Sequence, residues 1–329
     1  MNVSLAYLER CSAQTGYTVQ PLEKVVRLGD FANDVARHPF LGRVLALKGG
    51  TALNLCFGAP KRLSIDLDFN YTGHGDREKM LEERPRVEQA VTELAKRKGY
   101  RVQQSADAFA GRKIYLIYRS LLGPEDRIEL DLNFLFRVPI AGTEHGELWQ
   151  PGELDRPQVR IVSVQEIVVG KMLAMLDRGA ARDVWDLANL PEAAKDVIYR
   201  PSFRPWFIAL SAVLGHPLPT YTQKRLEGLC DRAVLEQLAP LLAVHAPPRA
   251  EDLIKDAWAV VSDFLTLRPN EADYIASIER GELRPELLFE GDEKSAHRVA
   301  RHPAILWKVT NVRAHLARHR KKHNTNVSV

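Results

Sequence analysis

With 329 residues, 45% hydrophobic and 27% charged, the chain has an ordinary globular composition and is long for a single domain. Its formal charge of +4 and pI near 8.9 permit a nucleic-acid partner without requiring one. No run approaches the ~18 apolar residues of a membrane-spanning helix, and three scattered cysteines (Cys11, Cys56, Cys230) give neither a disulfide framework nor metal-ligand spacing.

In chain order, MNVSLAYLERC lacks the basic start and apolar core of a secretory signal, so a reducing cytoplasm is the expected compartment. From about Leu22 to Arg37, the spacing of Leu22, Val25, Val26, Phe31 and Val35 predicts an amphipathic helix that Pro39 ends. RVLALKGG, from Arg43 to Gly50, reads as a short buried strand that stops at two glycines. TALNLCF then has helix-compatible content. A glycine corner opening a helix presents backbone N–H groups and a positive dipole end, which suit a phosphate.

LSIDLDF alternates strictly, with Leu63, Ile65, Leu67 and Phe69 on one face and Ser64, Asp66 and Asp68 on the other. Read as a strand from Leu63 to Phe69, it aims two carboxylates in one direction. Carboxylates two residues apart on a strand repel each other, and a hard cation such as Mg²⁺ relieves that repulsion with oxygen ligands. An isolated Asp-x-Asp is equally the solvated face of an edge strand; the preceding Gly49-Gly50-Thr51 corner favours the metal reading. Ser64 is expected on the same face as Asp66, within reach of a phosphate.

A charged helix is predicted over Arg77–Lys98 with Gly99 as its cap, followed by strands over Arg112–Arg119 and Arg127–Phe134. RIELDLNF turns Glu129, Asp131 and Asn133 to one face, which is either the wet side of an antiparallel pair or part of a site. Ser163-x-x-Glu166 spells a capping box, so a helix should start near Val164. On it Val169, Leu173 and Leu176 share one side, with Lys171 and Arg178 on the other. After GAA, RDVWDLANL predicts a short helix with Asp183 and Asp186 on one face and Arg182 in reach of Asp186 at i+4. These charges alone also describe an ordinary surface network.

Beyond Leu190 strand signals fade, and prolines punctuate helical segments, among them Glu251–Leu267; Asn270 is expected to cap the next. A domain boundary near 194/195 follows, giving a domain at 1–194 and a helical one at 195–329. The tail RAHLARHRKKH, from Arg313 to His323, is either a solvated terminus or a contact for RNA phosphates. His315, His319 and His323 have helical metal spacing but no carboxylate nearby, so no site is assigned. No repeat, GxSxG elbow or Walker A pattern is present, which leaves nucleophilic Ser or Cys catalysis without support.

The Gly-Gly turn followed by Asp-x-Asp resembles the core of the DNA polymerase β-like nucleotidyltransferase superfamily, with Thr51 where a serine commonly stands. More narrowly, LKGGTALNLCFG with RLSIDLDF is similar to the AbiEii toxin family, which includes the MenT toxins. GKMLAMLDRGAARDVWDL resembles that family's motif of a lysine, an Arg-x-x-x-Arg-Asp run and a second aspartate, here Lys171, Arg178, Arg182, Asp183 and Asp186. The resemblance covers about Leu45 to Leu190, and ARHPAILWKVTNV resembles the C-terminal region of longer members.

The resemblance implies an α+β fold: a small mixed sheet flanked by helices, then a mainly helical C-terminal domain. It implies transfer of NMP from an NTP with release of pyrophosphate. Asp66, Asp68 and a third acid on a neighbouring strand, Asp131 or its competitor Glu129, would hold Mg²⁺. Lys48, Gly49, Gly50, Thr51, Ser64, Lys171, Arg178 and Arg182 would bind the NTP, and Asp186 would hold Lys171 or the nucleotide in position. It further implies an RNA acceptor such as the tRNA 3′ end, a block of translation, and a cognate antitoxin. The alternatives are adenylylation of a protein or small molecule and a catalytically silent nucleotide-binding module; the latter predicts an incomplete carboxylate set.

Overall fold

The structure, a computed structural model, describes residues 3–326 except 107, 244 and 245, with side chains described as far as residue 318 of the last helix. Its centre is one seven-stranded mixed sheet. The chain enters through α1 (Leu5–Thr15), α2 (Val19–Arg37) and the single turn α3 (Leu41–Val44), then crosses the sheet as β1 (Leu45–Leu47). It continues through α4 (Gly49–Leu55), β2 (Leu67–Tyr71) and α5 (Arg77–Arg97) to β3 (Arg101–Gln104), β4 (Gly111–Arg119) and β5 (Glu125–Asn133). The last strands, β6 (Thr143–Glu147) and β7 (Gln158–Val162), lead into α6 (Val164–Arg178) and α7 (Ala181–Ala188).

Strand order is β3-β4-β5-β2-β1-β7-β6. β2 runs parallel to β5 and antiparallel to β1, and β1 runs parallel to β7. The four-strand centre is thus buried on its apolar side by Leu45, Leu47, Leu67, Phe69, Leu130, Leu132 and Ile161. The downstream elements among the described residues are all helices, as the composition predicts: α8 (Glu192–Ile198), α9 (Phe203–Ser211), α10 (Asp231–Gln237), α11 (Ala250–Leu265), α12 (Pro269–Glu279), α13 (Glu293–Ala300) and α14 (Pro303–Asn326), with short 3₁₀ turns between. α11 packs on α7, and one apolar cluster runs from Leu8 to Val309. Among the described residues, no helix is long and apolar enough to cross a membrane.

Three sequence expectations are corrected. The strand predicted from Leu63 begins only at Leu67, because the backbone before it bonds elsewhere: Leu63 N–H donates to the Leu241 carbonyl at 2.8 Å, and Arg62 bridges Leu242. The strand predicted from Arg43 is shortened by α3. Asn270 is not a cap, since Arg268 takes that place ahead of Pro269 and the Asn270 amide donates to the Leu287 carbonyl. The tail's His319 and His323, with Arg320, Lys321 and Lys322, have side chains outside the described residues; Arg313 is spent on the Gly281 carbonyl at 2.6 Å.

Candidate active site

β2 and β5 set the geometry. Because they are parallel and in register at Asp68↔Asp131 and Asn70↔Asn133, two residues from each strand face the same cavity. The pair nearer α4 is acidic and the next pair is amide. Lys48, Gly49 and Gly50, at the start of α4, form one wall of this ~370 Å³ cavity; Glu166, Gly170, Lys171 and Arg178 from α6 form another.

Glycine is required at one position of the corner and favoured at the next. Gly49 has φ +69°, and a Cβ there would stand 2.4 Å from Asp68 Oδ2. A Cβ on Gly50 would lie 3.0 Å from both Arg62 Nη2 and Ser64 Oγ, and 3.6 Å from Lys171 Nζ. The corner therefore lets the backbone approach the Asp68 carboxylate on one side and a buried cationic cluster on the other. The expected hydroxyls, however, point inward. Thr51 and Ser64 are buried and share a 2.9 Å hydrogen bond, and Thr51 also donates to the Asp66 carbonyl. A threonine hydroxyl has one proton, so Ser64 is the donor within that pair.

Asp131 is half-buried, and its carboxyl is raised above the usual carboxylate range by desolvation and by the charge of Asp68, against the opposing pull of Lys48 and Lys113. Neither Asp68 nor Asp131 receives a hydrogen bond or an ion pair through its carboxylate among the described residues. Glu129, the competing candidate, is instead paired with Lys113 on β4 and does not line the cavity. Asp66 turns away to Arg182 at 2.9 Å, so the three expected carboxylates are not gathered around one point. No group of three His, Cys, Asp or Glu side chains able to hold a metal occurs among the described residues.

The Lys171–Asp186 motif is a buried network. Lys171 Nζ lies 2.7 Å from Asp186 Oδ2 and 3.3 Å from Asp183 Oδ1. Asp183 is gripped on its other side by Arg178, at 2.6 and 3.0 Å. The partner of Asp186 is a residue that sequence reasoning missed. Arg62, 1% exposed, donates to it bidentately at 2.7 and 2.8 Å, where Arg182 had been expected. Asn54 adds a third donor at 3.0 Å. Burial raises the Asp186 carboxyl, but Arg62 and Lys171 outweigh it and hold it well below the usual range. Three cations (Arg62, Lys171, Arg178) thus meet two carboxylates (Asp183, Asp186). The surplus positive charge sits where Lys171 and Arg178 border the cavity.

Glu166 has a second role beyond the capping box that its spacing from Ser163 predicts. Ser163 Oγ does accept the Glu166 N–H, at 3.3 Å, but the carboxyl does not return to Ser163. It accepts the Ile140 N–H at 2.8 Å, and its other oxygen is buried in the cavity wall without a partner. Burial pushes this carboxyl up to about 8, against the Ile140 bond and the charges of Lys48 and Arg298. Its folded pKa lies above the unfolded value, so its contribution is fully present below about pH 4.5 and is lost as pH rises toward 8. Glu166→Gln, isosteric with the neutral acid, is expected to match the wild type in thermal unfolding at about pH 4 and exceed it at about pH 8.5. The same difference between variant and wild type at both pH values would contradict a neutral Glu166.

A family model for the nucleotidyl transferase AbiEii toxin of type IV toxin–antitoxin systems matches residues 33–239. Among solved structures, the fold is similar to MenT4, a nucleotidyltransferase toxin from Mycobacterium tuberculosis H37Rv. That likeness has TM-score 0.62 at 18% identity, covering 93% of this chain and 99% of the other. A weaker likeness, TM-score 0.33 at 14% identity, joins 82% of this chain to 97% of an antigenic nucleotidyltransferase-like protein from Paracoccidioides brasiliensis. No curated protein matches the sequence. The matched segment holds the glycine corner, both strands of the acidic pair and the whole cationic network, and spans more than half of the chain: the protein belongs to the AbiEii family of nucleotidyltransferase toxins.

Proposed function

We propose that the protein transfers a nucleoside monophosphate from an NTP to an RNA 3′ end, with tRNA as the acceptor, and so blocks translation until a cognate antitoxin restrains it. The observation that carries this reading is the register of Asp68 with Asp131 beside Lys48, Lys171 and Arg178 on a single cavity. Two carboxylates without protein partners, close enough for one to raise the other, suit a hard divalent cation such as Mg²⁺. Such a cation would supply positive charge to the transferring phosphoryl oxygens.

The chain's own residues do the rest. Asp131, with its raised carboxyl, takes the proton of the attacking hydroxyl. Lys171 and Arg178, fixed by Asp186 and Asp183, lie against the charge that grows on the departing pyrophosphate. Gly49 and Gly50 let the phosphates approach the backbone closely. Asp66 would add a third oxygen ligand for such a cation only if Arg182, now paired with it, turned instead to the triphosphate.

The test uses purified protein, Mg²⁺ and each NTP labelled in turn at the α- or γ-phosphate, with total RNA and total protein offered together. Label from the α-position is expected in tRNA-sized RNA, with the γ-label leaving as pyrophosphate. Label in protein or in small molecules would replace RNA as the acceptor. Label in no fraction, from either position, is the outcome that would favour the silent module.

A further inference from the structure

A second cavity, of about 510 Å³, gathers five lysine and arginine side chains and one histidine, with a single carboxylate among its other lining residues. Its main wall is α13 with its C-cap, where Lys294, His297, Arg298 and the capping Arg301 recur at i, i+3, i+4 and i+7 and so form one stripe. Arg77, at the start of α5, faces the stripe, and Arg137 lies at the base. Among the described residues none of these six pairs with a carboxylate. The one acid in the lining, Asp76, is committed to its helix, accepting the Lys79 N–H at 3.0 Å.

Arg137 is informative because it is 7% exposed and yet bonds only carbonyls, those of Gly75 at 2.9 Å and Phe134 at 3.1 Å. Burial disfavours this guanidinium's charge, and its only anionic support is the more distant Asp76, with which it forms no ion pair; a ligand anion would relieve the rest. Apolar surface accompanies the charge. Phe109 is 46% exposed with the Arg77 guanidinium 5.5 Å above its ring, and Leu306 in the cavity wall and Trp307 beside it are 42% and 47% exposed. Cations interleaved with exposed rings are the pattern of a single-stranded nucleic-acid groove, where phosphates meet charge and bases stack.

The two cavities share a wall. Phe136 lines the catalytic cavity and the next residue, Arg137, lines the basic one. Ile140 links them as well: its N–H donates to Glu166, and its carbonyl accepts from Arg298. His302, fully buried, packs edge-on against Phe136 in that wall with ring centroids 5.5 Å apart.

We propose that the α13 stripe with Arg77 and Arg137 binds the phosphate backbone of the acceptor RNA's single-stranded end and leads it over Phe136 toward Asp131. This rests on the RNA-acceptor reading above and adds where that acceptor lies.

The test is binding of a tRNA with an intact single-stranded 3′ end to the full chain, followed by fluorescence anisotropy between 50 and 200 mM salt. Lys294→Glu/Arg301→Glu changes two exposed residues with no described partner, and Lys255→Glu on α11 serves as the control. The double variant is expected to lose at least about tenfold in affinity and to lower the salt slope by about one per cation removed, with NTP affinity unchanged. Wild-type affinity and slope in the double variant would overturn the assignment. So would a wild-type chain that ignores RNA and binds phosphatidylserine vesicles. Label transfer separates the two readings: RNA bound through the stripe but never labelled sinks the acceptor reading alone, and equal labelling by both proteins sinks the stripe alone.

Discussion

Asp186→Ala is expected to destabilise the protein by about 3–5 kcal/mol, the range for breaking a buried ion pair from one side. It would strand Arg62, at 1% exposure, without a carboxylate and leave Lys171, at 7%, only the longer contact with Asp183 at 3.3 Å. The same reasoning gives the sign of the pH effect. The Asp186 carboxyl is depressed in the folded state, so its contribution is present above the ordinary carboxylate range and is lost as pH falls through it. Removing the cations as well, in Arg62→Met/Lys171→Met/Asp186→Leu, should recover most of the loss, since an apolar replacement avoids desolvating charge altogether. Urea unfolding at pH 7 measures both. A single-variant loss under about 1 kcal/mol would mean that water reaches the network and that Lys171 is not fixed by it.

The second large effect falls on activity and leaves the fold intact. Asp131→Asn is expected to lower nucleotide transfer by about 10²–10⁴-fold, the usual contribution of a positioned general base. Thermal stability should rise slightly. Asp131 has a raised carboxyl, so it contributes stability at low pH that is lost as pH rises, and the neutral amide does not share that loss. A residue that destabilises the free protein while serving the reaction is a common feature of active sites. Glu129→Gln is the internal comparison: it releases Lys113 at the sheet surface and should leave transfer near the wild-type level. If the Glu129 variant were the inactive one, the assignment of the third carboxylate would be reversed.

The sequence carried much of this site because its key elements obey short periods. Alternation placed Asp68 and Asp131 on wet strand faces, and the glycine pair marked the corner between β1 and α4. What alternation could not supply was the register of β2 against β5, which is set by residues more than sixty positions apart. Local rules misled where a tertiary partner was stronger. Arg182 is spaced to reach Asp186 along α7, but Arg62 takes that carboxylate bidentately and leaves Arg182 to Asp66. Arg62 stands in the irregular stretch APKR and shows no period, so only the burial of an arginine, visible in three dimensions, reveals it.

Glu166 is a similar case. Its spacing from Ser163 satisfies a capping box, and half of that box forms, yet the carboxyl is drawn to the Ile140 N–H and the cavity. The unforeseen strands have a common cause. β3 and β6 are edge strands whose exposed residues dilute any apolar alternation, and β7 has only five residues between Pro157 and the Ser163 cap. The basic stripe on α13 was legible in principle as four residues at helical spacing. Its facing partner Arg77 lies over two hundred residues earlier, and no sequence pattern joins the two.

The most direct test of the account is sequencing of RNA 3′ ends. A tRNA pool would be incubated with the protein, Mg²⁺ and all four NTPs, beside an Asp131→Asn control, and every 3′ terminus read. Added nucleotides in the wild-type reaction, absent from the control, are the expected result and would identify both the nucleotide and the acceptor. Unaltered 3′ ends, with the NTP consumed and its α-label found in protein or a small molecule, would contradict it.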